Sequence, residues 1–110
     1  MEVKHFKLSS GMDILASVEK GEEAIWHFPF ILVSMPNKNE SIDYNLINFI
    51  QTSREYTQKV EIKNLDSFCM VHFVPDIFFI EMYETIVDRL KLKLSGLVAP
   101  TKTEQRKILQ

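Results

Sequence analysis

The sequence is short of three things. One cysteine, Cys69, among 110 residues excludes an intrachain disulfide and suits a reducing compartment. Three glycines leave no phosphate-cradling Gly-rich loop and no Gly-x-Ser-x-Gly elbow. Long apolar runs are missing too. The most apolar stretch, Phe28 to Met35, contains Pro29 and is far too short to span a bilayer. Met1-Glu2-Val3-Lys4-His5 carries no apolar signal core. The expectation is a cytoplasmic protein with no membrane contact.

What is present is ordinary for one globular domain: 45% hydrophobic residues, 25% charged residues and eight phenylalanines. A chain of this size buries roughly two-thirds of its unfolded surface, so one core suffices without staples. Charge is uneven. Residues 1–90 hold 8 basic and 14 acidic side chains, whereas 91–110 hold 5 basic and 1 acidic. The body is therefore no magnet for polyphosphate. The expected division is a domain over 1–95 and a basic, flexible tail over 96–110. That tail reads as a solvated end or as an arm for nucleic acid.

Alternation marks the strands. Val3 to Leu8 puts Phe6 and Leu8 on one face and His5 and Lys7 on the other. Ser9-Ser10-Gly11 is a tight turn, and Met12, Ile14, Ala16 and Val18 line one face of a second strand, completing a hairpin. Ala24 to Met35 is apolar on both faces, as a covered or bent strand must be. Pro29 in its middle lacks an N–H and predicts an edge or a bulge. After the polar loop Pro36 to Ser41, further strands are expected at Leu46 to Ser53, Val60 to Ile62 and Phe68 to Val74.

Beyond Pro75 the period becomes helical. Phe79, Tyr83, Ile86, Leu90 and Leu94 recur along one stripe. Asp76 suits an N-cap and Ser95-Gly96 a stop, giving a helix over about 76–94.

Chemistry is sparse. Cys69 and His72 lie three apart on one predicted strand, which places them on opposite faces. His5, His27 and His72 stand on separate strands without a ligand cluster. Glu22-Glu23 reads as a solvated turn rather than an acid–base pair. The expectation is a protein that is not an enzyme and needs no metal or cofactor. Lys63-Asn64 is either a plain turn or a cation beside a residue tolerant of left-handed backbone. In Trp26-His27-Phe28 the two aromatics read as core or as stacking faces for bases, and His27 faces away from them.

The order of elements resembles the Sm/LSm fold, a small, strongly bent, five-stranded barrel. Phe6 to Val18 resembles the first half of that family's first motif, with Gly11 at the motif glycine. The Lys7-Leu8-Ser9-Ser10-Gly11 opening and the mid-strand Pro29 resemble Sm-like proteins of marine-phage origin in ocean metagenomes, which implies a host-cell cytoplasm. The likeness covers residues 3–90. It departs where the family carries Asp and Asn before the third strand, here Glu23 and His27. It departs again at an Arg-Gly before the last strand, here Lys63-Asn64. The family's helix precedes its barrel, whereas here the helix follows.

The resemblance implies a mainly β barrel with a C-terminal helix, assembled as a homo-oligomeric ring of roughly five to seven subunits. In that family the fourth strand of one subunit pairs with the fifth of the next. The corresponding interface residues are Leu46, Phe49 and Ile50 with Met70, His72 and Phe73, in strands that lack edge-guarding Pro or Lys. The implied ligand is single-stranded RNA, contacted by His27, Lys63 and Asn64. A structural or protein-interaction module that has lost RNA binding is the alternative.

Overall fold

The computed structural model describes residues 1–50 and 55–96. Its elements run β1 (Glu2–Leu8), β2 (Asp13–Val18), β3 (Ile25–Pro36), β4 (Ile42–Asn48), β5 (Lys59–Glu61), α1 (Leu65–Phe68), β6 (Cys69–Phe73) and α2 (Ile77–Ser95). The fold is mainly β, with a helix at the C-terminal end of the described chain. The expected tail over 96–110 lies, apart from Gly96, outside the described residues.

One six-stranded antiparallel sheet has the order β4-β3-β2-β1-β6, with β5 joined to β3. The expected closed, five-stranded barrel is corrected on two counts. The sheet has six strands, the sixth being the short strand expected at Val60 to Ile62, here β5, and the predicted fourth strand at 46–53 instead begins at Ile42 and ends at Asn48. Nor do the end strands pair with each other, so the sheet is open. Among the described residues β4 pairs only with the C-terminal part of β3, and β6 only with β1.

The β1–β2 hairpin turns as expected. Leu8 N–H donates to Met12 O at 2.8 Å and Gly11 N–H to Leu8 O at 2.9 Å. Gly11 has φ 96, a region that side chains resist. Met12, expected inside, is exposed in the turn, while Leu15 on the other face is fully buried. Strand β2 is thus covered on both sides, which its alternation hid.

On the first face Phe6, Leu8, Ile14, Ala16, Val18, Trp26, Ile31 and Cys69 form the core cluster. Trp26 is at its centre. Its ring lies 4.6 Å from that of Phe6 and 5.8 Å from that of Phe49, and its Nε1–H donates to Glu23 O at 2.9 Å. On the second face Leu15, Phe30, Leu32 and Leu46 are buried.

The chain divides into two units, Met1–Ile80 and a second that begins at Glu81. Helix α2 crosses that boundary. Its start is capped as predicted: Phe78 N–H donates to Asp76 Oδ1 at 2.8 Å. Gly96, with φ 77, ends it. Its buried residues are Tyr83, Val87 and Leu90, so the stripe runs through Val87 rather than Ile86, and Leu94 is exposed. No helix among the described residues is long and apolar enough to cross a membrane.

Candidate functional site

Strand β3 organises the site. Leu15 faces Phe30 and Ser17 faces His27, so β3 spends one residue more than β2 between these pairs. That is a β-bulge, and it falls at Phe28–Pro29 as the proline predicted. Phe28 takes the strained φ of 49, and Pro29 is fully buried. The bulge also divides the edge of β3 between two partners. Strand β4 ends opposite Phe30, at Asn48, and β5 begins opposite His27, at Lys59. Between them Phe28 N–H donates to Gln58 O at 2.9 Å.

Register partners share a face of a sheet. The second face beside the bulge therefore carries His27 with Lys59, and Phe30 with Asn48. Tyr56 joins them, its ring 5.8 Å from that of Phe30. His27 is half-buried and Lys59 exposed. Lys63 and Asn64 lie one step away, past the end of β5, where Ile62 N–H donates to Ala24 O at 2.7 Å. Asn64 has φ 58 and ψ 51, the left-handed backbone its type tolerates, and it opens the one-turn helix α1. His27 thus lies opposite Lys59 at the start of β5, whereas the Lys63-Asn64 turn follows the far end of that strand, beyond the Ile62–Ala24 hydrogen bond. The structure adds Lys59, Asn48 and Tyr56, which sequence reasoning missed. Only register sets Lys59 opposite His27 and Asn48 opposite Phe30, against whose ring Tyr56 also lies. Trp26 is buried, so of the aromatic pair it offers no face to a base.

The charges near Lys63 are mostly acidic. Glu61 and Asp66 stand two and three residues away, and the Glu22-Glu23 turn precedes the Ala24 that pairs with Ile62.

A second polar cluster lies on β1 and β2. His5 Nε2 is 2.8 Å from Asp13 Oδ1, and Lys7 Nζ donates to Asp13 Oδ2 at 3.2 Å. The His5 ring also stacks on Phe73 of β6, centroids 4.5 Å apart. Only 12% of the His5 side chain is exposed, so its bond to the carboxylate replaces water it has lost. Asp13→Ala is expected to cost about 1–3 kcal/mol, the penalty for a largely buried group left without its partner. Urea denaturation checks this, and an unchanged midpoint would remove the cluster from the list of stabilising contacts.

Cys69 and His72 do not lie on opposite faces. Leu8 faces Cys69 while Lys7 faces Val71, so Met70 is an extra residue in β6. The bulge turns Cys69 and His72, opposite Leu8 and Phe6, to the same face. The thiol nevertheless bonds elsewhere, donating to Val71 O at 3.2 Å. Burial pushes the Cys69 thiol above its ordinary value of 9.0, with a small upward push from Asp66, against backbone hydrogen bonds at Val71 and Lys7. The preference for the neutral thiol stabilises the fold in full below that ordinary value. It is lost as pH rises through the folded one. Among the described residues no group of three or more His, Cys, Asp or Glu gathers as a metal site.

The two ends of the sheet are apolar and exposed. On β6 and just past it, Met70 is 66% exposed, Phe73 42% and Val74 62%; on β4, Ile42 is 56% exposed and Tyr44 39%. His72 is exposed as well. Leu46 is buried, and Phe49 and Ile50 lie past the end of β4, with Phe49 packed on the core. The large apolar side chains exposed on β4 itself are thus Ile42 and Tyr44, and Ile50 of the expected set is exposed just past the strand's end. No protein-family model matches the chain, and no curated protein matches it.

Proposed function

We propose that the protein is a ring-forming, Sm-like assembly module that binds single-stranded RNA. The observation that carries the assembly is the open strand order, with β4 at one end and β6 at the other. Each end strand has one hydrogen-bonded neighbour, and each displays large apolar side chains to solvent. Unpaired edges of this kind associate. Because the two ends are different surfaces, copies join head to tail, and head-to-tail contacts close into a ring when the rotation permits. RNA is supported by the residue types on β3, on β5 and in the turn after it, His27, Lys59, Lys63 and Asn64: cations to offset phosphate, an amide and an imidazole for base edges.

The acid around Lys63 favours a second reading, a module that assembles and binds protein but not RNA. One pair of measurements separates them. Light scattering is expected to give a native mass of roughly five to seven protomers, and a protomer mass would remove the assembly. Titration of a labelled single-stranded oligoribonucleotide at two salt concentrations is expected to show weaker binding at higher salt and after Lys63→Ala. An assembled protein that binds no RNA would favour the second reading.

A further inference from the structure

The outer edge of β4 is not uniform. In an antiparallel ladder, pairs that exchange both backbone hydrogen bonds alternate with pairs that exchange none. Asn37 N–H donates to Ser41 O at 2.9 Å, one step beyond the Pro36–Ile42 pair. The exchanging pairs of the β3–β4 ladder are therefore Met35 with Asp43, Val33 with Asn45 and Ile31 with Ile47. Ile42, Tyr44 and Leu46 turn their N–H and C=O groups the other way, where no strand pairs among the described residues. A hydrogen bond at Leu46 agrees with this phase: its N–H donates to the side-chain Oδ1 of Asn45 at 2.9 Å. One place on the edge is thus already filled by the protein's own carboxamide. The place before it is not filled in this way. Asp43 precedes Tyr44 as Asn45 precedes Leu46, but Asp43 Oδ1 accepts from Asn37 Nδ2 at 3.1 Å.

The phase of β6 follows in the same manner. Leu8 N–H donates to Met12 O, so β1 turns Phe6 and Leu8 toward β2, and His5 and Lys7 toward β6. Phe73 and Val71 answer those two, which leaves the backbone groups of His72 facing outward. Five residues of β6 laid along seven of β4 have several possible registers, and an edge without a marker slips.

We propose that Asn45 is a register stop, which holds the Leu46 N–H and so confines the β6 edge of a second copy to the stretch Ile42–Tyr44. The stop rests on the assembly reading above. It uses a side chain to blunt part of an edge while the rest stays open to pairing.

The test uses the full chain. Amide hydrogen exchange is read residue by residue at protein concentrations above and below assembly, with light scattering on the same samples. Assembly is expected to slow exchange at Ile42 and Tyr44 and to leave Leu46 unchanged. In Asn45→Ala the Leu46 amide is expected to slow on assembly too, and the single native mass to give way to several. Asn45→Asp keeps an acceptor in the same place and is expected to restore the wild-type pattern. Asn45 is exposed, so both variants are expected to fold, which circular dichroism checks. Slowing at Leu46 in the assembled wild type, or an Asn45→Ala variant with unchanged mass and unchanged Leu46 exchange, overturns the stop and leaves the assembly standing. A wild-type protein that keeps the protomer mass at every concentration overturns both.

Discussion

Trp26→Ala is expected to destabilise the protein by about 3–5 kcal/mol, the range for deleting a fully buried large aromatic. Small domains are stable by roughly 5–15 kcal/mol, so the variant would lose a large share of its folded population. The size follows from the surroundings. The indole touches the rings of Phe6, Phe49 and Phe68 and is completely buried. Those neighbours come from β1, the segment after β4, and α1. No single side-chain movement therefore closes the space left behind. Trp26→Phe separates packing from the indole hydrogen bond. It keeps a ring in the core but loses the donor to Glu23 O, and is expected to cost about 1–2 kcal/mol. Urea unfolding followed by far-ultraviolet circular dichroism reads both, since the only tryptophan is the one removed. A loss below about 1 kcal/mol for the alanine variant is incompatible with a core centred on Trp26.

The second large effect concerns mass. Met70→Lys places a guarding charge on the β6 end, and Ile42→Lys places one on the β4 end. Both side chains are more than half exposed, so neither change disturbs the core. Lysine on an edge strand opposes further pairing. Each variant alone is expected to fall to the protomer mass with unchanged circular dichroism. Mixing them sharpens the test. The Met70 variant retains a sound β4 end and the Ile42 variant a sound β6 end, so one joint forms and no second can follow. The expected mixture is a dimer that does not grow. Two variants that each keep the full assembled mass would exclude these ends as the contact. A mixture that regains the full mass would exclude head-to-tail pairing.

Where one physical signal governed a segment, the sequence was legible. The Gly11 turn, the bulge at Pro29, the left-handed Asn64 and the Asp76 cap each follow from the backbone preferences of a single residue. The alternation of Phe6 and Leu8 and the helical period of Tyr83 and Leu90 follow from burial on one side. Illegible features needed the partner strand. Leu15 is buried because the second face is covered, and an alternating pattern assigns only one inner face. Asn48 and Lys59 end up on the same side of β3 because that strand is bulged between their partners, which nothing in 49–58 announces. Met70 reverses the expected facing of Cys69 and His72 by adding one residue to β6. In the candidate site, His27 and the Lys63-Asn64 turn were chosen from residue type, whereas the places of Lys59 and Asn48 come only from register.

The setting of Cys69 has a practical side. Thiolates react with maleimides and thiols far less, and this lone thiol is buried, held neutral and bonded to a carbonyl. A cysteine introduced at an exposed position would outcompete it at neutral pH. Single-point attachment of a dye or spin label to either rim of the sheet is therefore open without first deleting the native residue, and the distances it reports would test the proposed head-to-tail contact with the core unaltered.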